Sequence, residues 1–175
     1  MDERQAVGLL KKCSKGDEKA FQLVLSHSKA VQKVALDLAK DIPGIDIGLV
    51  KAGSLLHDIG RFDFPPGKDS VKHGLRGGEI LRKEGFPGLA GIAERHIGFG
   101  ISKEEIIRQD LDLPKKDFIP ETKEEKVVAC ADNMVFGSRI GTIEEAVERY
   151  DKELGPGYGK KVKDLYDEIM RLKKR

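Results

Sequence analysis

The sequence predicts an all-α protein built as one domain over residues 1–175, and three observations carry that prediction. Apolar residues recur every three or four positions through most of the chain, the spacing of a helix face. Three capping boxes, Ser102 with Glu105, Thr122 with Glu125 and Thr142 with Glu145, announce helix starts. No segment alternates polar and apolar residues as a half-buried strand would. A chain of 175 residues that is 39% apolar can bury one core, and 35% charged residues suit a solvated helical surface better than a disordered chain.

Taken in order, Asp17 to about Lys40 reads as a helix with Ala20, Val24, His27, Val31, Val34 and Leu38 on its apolar stripe. Asp46 to His57 is apolar almost all round and reads as a buried central helix. Gly60 is expected to stop it through a left-handed cap, with a loop from Phe62 to Lys68. Ser70 is expected to cap a helix running to about Glu84, placing His73 in its first turn. Pro87 opens a shorter helix that turns Leu89, Ile92, Ala93 and His96 inward before Gly98 and Gly100 end it. Helices near 103–110, 123–137 and 143–153 follow the capping boxes, and a last helix at about 159–174 packs Val162, Leu165, Tyr166, Ile169 and Leu172 on the core.

With 32 basic and 30 acidic residues there is no chain-wide field to attract nucleic acid or anionic lipid, so a nucleic-acid partner is disfavoured. The basic segments KKVK and LKKR keep open a competing nucleic-acid reading. No run of about 18 apolar residues exists and the amino terminus lacks a signal-peptide core, so a cytoplasmic protein without a membrane partner is expected. Cys13 and Cys130 lack CxxC spacing and read as reduced, buried small residues.

The chemistry concentrates on six residues. Asp132 sits in VVACADNMVF, the most apolar helical run, where an ionised carboxylate demands a cation or several donors. An Arg or Lys would serve as well as a metal. A lone inward histidine is usually a satisfied core residue, but here all four histidines, His27, His57, His73 and His96, fall at inward positions or helix ends. His57 and Asp58 are adjacent, so they can converge on one ion only where the helix ends. Two imidazoles and two carboxylates form a mixed N/O set suited to manganese, iron, nickel, cobalt or zinc.

The order His27, then LLHDIGR with His57 and Asp58, then Asp132 in ACADN, resembles the HD superfamily of metal-dependent phosphohydrolases in its HDIG form, over about residues 20–140. The overall pattern is similar to small uncharacterised archaeal HDIG proteins. The resemblance implies an HD-type helical bundle with His27, His57, Asp58 and Asp132 as metal ligands. It also implies His73, in HGLRGGEIL, and His96, in AERHIGFGIS, as ligands of a second ion, so one or two metals per chain. The implied activity is hydrolysis of a small phosphate ester such as a nucleotide by metal-activated water, as a monoesterase or diesterase, with Asp58 orienting or deprotonating the water. Arg61 is the expected phosphate clamp, and Lys72, Arg76, Arg95 and Arg139 the expected basic rim; ordinary surface salt bridges are the competing account of all five. Phe99 to Pro120 is expected to wall the pocket.

The chain lacks the GYP signature of the cyclic-dinucleotide branch. It has Ile59-Gly60-Arg61-Phe62 where the alarmone hydrolases carry a glutamate-aspartate pair. The alternative from another class is a catalytically silent, metal-stabilised ligand-binding or sensing module. A homodimer is compatible with either.

Overall fold

The computed structural model describes residues 1–67 and 69–173. The described residues form nine α-helices: α1 Glu3–Cys13, α2 Glu18–Ala39, α3 Ile47–Leu56, α4 Lys72–Lys83, α5 Pro87–Arg95, α6 Lys103–Arg108, α7 Lys123–Asn133, α8 Ile143–Leu154 and α9 Tyr158–Leu172. A 3₁₀ turn, Ile59–Phe62, follows α3, and a two-stranded hairpin, β1 Val135–Phe136 with β2 Arg139–Ile140, follows α7. The fold is an all-α helical bundle, and no described helix is long and apolar enough to cross a membrane.

Local sequence explains the helix starts. Asp17 and Asp46 accept the backbone N–H groups of Ala20 and Leu49, capping α2 and α3. The three capping boxes form as the spacing predicts, each Ser or Thr hydroxyl taking the N–H of its glutamate. Helix α7 buries Val127 to Ala131 without interruption, because α2, α3, α5 and α9 surround it. Leu55, Leu56, Ile59, Leu81 and Ile92 complete the main core, each side chain contributing about 1.5–3 kcal/mol through loss of water contact. A smaller cluster of Ile143, Ala146 and Val162 joins α8 to α9 beside Phe99 and Tyr150.

Several expectations need correction. Gly60 does not adopt a left-handed conformation; it lies buried inside the right-handed 3₁₀ turn. Its value is close approach: a β-carbon there would overlap the His73 carbonyl and stand 2.8 Å from the Gly77 nitrogen. Ser70 does not cap α4, whose N-cap is Val71 without a side-chain hydrogen bond. The 123–137 helix stops at Asn133, since Gly137, at φ +66°, turns the chain into the hairpin. Helix α1 went unmarked because its charged residues outnumber Ala6, Leu9 and Leu10, the side chains it buries. The last helix covers Tyr158–Leu172, and Lys174 of the expected span lies outside the described residues. Both cysteines are free thiols; Cys130 is buried and Cys13 only partly so.

Candidate metal centre

The six chemistry-bearing residues come from five helices and converge. His27 projects from the middle of α2 and Asp132 from α7. His57 is the C-cap of α3 and keeps helical angles, whereas Asp58 at φ −97° and ψ 14° has left them. That break lets consecutive side chains turn toward the same space, which a regular helix forbids. His73 lies in the first turn of α4 and His96 at the C-cap of α5.

Two groups form around Asp58. In the first, His27 Nε2 is 2.9 Å from Asp132 Oδ1 and 3.3 Å from His57 Nε2, and His57 Nε2 is 3.6 Å from Asp132 Oδ1. Asp58 Oδ2 faces this group at 3.7 Å from His27 Nε2 and 3.9 Å from His57 Nε2. In the second, His73 Nε2 and His96 Nε2 stand 2.9 Å apart, and Asp58 Oδ1 approaches them at 3.0 and 3.4 Å. One carboxylate thus presents a different oxygen to each group.

The outer side of every imidazole is tied to backbone. Nδ1 pairs with the carbonyl of Gly137 at 2.6 Å in His27, of Ser54 at 2.7 Å in His57, of Ser70 in His73, and of Ala93 at 2.8 Å in His96. A carbonyl only accepts, so the network assigns the proton to Nδ1 and turns Nε2 inward as the donor atom toward an ion. Facing Nε2 lone pairs repel unless a positive charge sits between them. Metal–nitrogen bonds of about 2.0–2.1 Å put neighbouring ligands on one ion roughly 3.0–3.4 Å apart, close to the spacing seen here. The donor set and its spacing fit a divalent metal ion: His27, His57 and Asp132 could hold one, and His57, Asp58 and His96 form a second such group.

The electrostatics point the same way. Burial works against the His27 imidazolium, but the Asp132 hydrogen bond and the charges of Asp132 and Asp58 outweigh it and push its pKa up to about 9. Burial opposes the Asp132 and Asp58 carboxylates too, yet the histidines around them hold both well below the usual range. Burial pushes His96 down to about 4, so at neutral pH it offers a lone pair.

The basic residues expected at the phosphate are all engaged. Arg61 Nε donates to Asp58 Oδ1 at 3.2 Å, bracing that carboxylate. Lys72 pairs with Asp69 and Asp112, Arg76 with Asp63 and Glu79, Arg95 with Glu121 and Glu125, and Arg139 with Glu145. None of these four pairs with Asp58 or Asp132 among the described residues. Within Phe99 to Pro120, Phe99, Gly100, Ile101, Glu105, Gln109 and Leu111 line an apolar cavity of about 260 Å³ with Tyr150 and Tyr158.

Sequence reasoning missed three contributors. The Gly137 carbonyl orients His27 from the hairpin turn, which the Gly137-Ser138 pair between Val135-Phe136 and Arg139-Ile140 signals. Asn133, buried directly after Asp132, donates to the Gly98 carbonyl at 2.8 Å and accepts the Tyr150 hydroxyl at 2.7 Å. No local motif marks Tyr150, which arrives from α8.

A family model described as HD domain matches residues 24–136. The uncharacterised protein MJ0778 of Methanocaldococcus jannaschii is 42% identical, over 99% of this chain and 100% of that protein. A protein of Picrophilus torridus named tRNA (cytidine(56)-2'-O)-methyltransferase is 40% identical over 99% of this chain but only 45% of its own length, so this chain spans under half of that relative. Among solved structures, the HD domain of the L. monocytogenes phosphodiesterase PgpH in complex with cyclic-di-AMP shares the fold at TM-score 0.56 and 21% identity, over 94% of both chains. The family match across the histidine- and aspartate-bearing helices, with the full-length relative, shows that the chain belongs to the HD domain family.

Proposed function

We propose that the protein is a metal-dependent phosphohydrolase acting on a small phosphate ester such as a nucleotide. One observation carries the reading: Asp58 offers one oxygen to His27 and His57 and the other to His73 and His96, an arrangement that serves two neighbouring ions. A divalent ion bound there supplies Lewis acidity toward phosphoryl oxygens and a more acidic water. The chain's own groups do the rest. The backbone carbonyls behind each Nδ1 fix the rings, and Arg61 fixes Asp58. The histidines that keep Asp58 anionic make it an acceptor that orients the attacking water more than a strong base.

The reading is tested by assaying p-nitrophenyl phosphate, its bis ester and nucleotides with manganese, iron, nickel, cobalt or zinc after chelation. Metal-dependent turnover is expected, reduced about 100-fold or more in Asp58→Ala and retained in Lys152→Gln, a change of an exposed side chain. Turnover by Asp58→Ala equal to wild type contradicts the reading. One finding favours a second account, a metal-stabilised module that binds a nucleotide without turnover. The 40%-identical Picrophilus torridus relative is named for methyl transfer to tRNA, an activity in which attack on phosphorus has no part. Tight binding of metal and nucleotide with no hydrolysis of any ester supports that account.

A further inference from the structure

Arg149 on α8 differs from the five basic residues already placed. No carboxylate oxygen lies within 4.0 Å of its guanidinium among the described residues. Nη2 donates to the Asn133 carbonyl at 3.2 Å, and the guanidinium also reaches the Tyr150 hydroxyl. The side chain is only partly exposed, and the guanidinium keeps further paired N–H donors for a ligand. Its carbon centre lies 4.8 Å from the Phe136 ring and 4.9 Å from the Tyr150 ring, so aromatic faces hold the plane while leaving its edge open.

The anchors of Arg149 adjoin the histidine and aspartate cluster. Asn133 follows Asp132, and its side chain links the Tyr150 hydroxyl to the Gly98 carbonyl, two residues beyond His96. Phe136 precedes Gly137, whose carbonyl orients His27. A guanidinium steadied by the immediate neighbours of these groups, with its charge unspent on any carboxylate, matches the paired oxygens of a phosphoryl group. We propose that Arg149 is the substrate's phosphoryl-binding residue, taking the role that sequence reasoning gave to Arg61, Lys72, Arg76, Arg95 and Arg139.

The inference rests on the phosphohydrolase reading, and its test uses inorganic phosphate as the probe. Isothermal titration of the manganese-loaded protein compares wild type with Arg149→Gln, Arg149→Lys and Lys152→Gln, with metal content and melting temperature measured for each. Arg149→Gln is expected to weaken phosphate binding about 10- to 100-fold at unchanged metal content. Arg149→Lys recovers part of that loss, and Lys152→Gln binds as wild type. Equal phosphate affinity in folded Arg149→Gln or Arg149→Lys and wild type overturns the inference while leaving the phosphohydrolase reading intact. A wild type that takes up no manganese and no phosphate overturns both.

Discussion

The backbone carbonyl of His73 occupies the place where a β-carbon on Gly60 would stand. This contact seats the 3₁₀ turn against α4 and brings Asp58, two residues earlier, within 3.0 Å of His73. The obstacle is backbone, which cannot swing aside like a side chain.

Gly60→Ala is therefore expected to destabilise the fold by about 3 kcal/mol, at the upper end of overpacking costs. Gly8→Ala, on an exposed face of α1 with open space around it, should instead add about 0.5–1 kcal/mol. Urea midpoints measure both, and a Gly60→Ala protein as stable as wild type would remove the close-approach account.

Glu94 is 6% exposed, under Gly78, and its two oxygens take Nη1 and Nη2 of Arg82 at 2.7 and 2.8 Å. Arg82 is half exposed, so solvent weakens the pair, but losing it strands a buried carboxylate. Arg82→Ala should cost about 2 kcal/mol and the double variant with Glu94→Gln less than the sum. Additive losses in denaturant unfolding would show that the two side chains do not cooperate.

Burial pushes the Cys130 thiol up to about 12, so it stays protonated, and thus unreactive, at any pH the fold is handled at. At pH 8 a thiol reagent should leave Cys130 unlabelled in the folded protein and label it fully in denaturant. Rapid native labelling, read by peptide mass, would place Cys130 outside the α7 core.

The helical class was legible because periodicity and caps are local signals: Asp17, Ser102, Thr122 and Thr142 each declare a helix start within four residues. The histidines and aspartates stood out because polar groups on apolar faces are conspicuous. What stayed hidden was set at long range. Gly60 answers to His73, thirteen positions on, and a sequence offers no way to tell close approach from a left-handed cap. Gly137 reaches His27 across 110 positions through a carbonyl, which every residue possesses. Closeness in sequence to a motif histidine misled the choice of basic residues, since Arg95 beside His96 turns to Glu125.

Metal should also support the fold, since it binds the native arrangement and not the dispersed ligands. Manganese at 100 times its dissociation constant is expected to add about 2.7 kcal/mol of stability, reversed by chelation. Asp58→Ala should lose most of that gain, whereas a melting temperature indifferent to metal and chelator would argue against an ion at these residues.

The most direct measurement is an anomalous difference map from crystals grown with manganese. The account predicts a peak within bonding distance, about 2.0–2.3 Å, of Nε2 of His27 and His57 and of carboxylate oxygens of Asp58 and Asp132. Manganese bound only elsewhere, with these four side chains paired to one another, would contradict it.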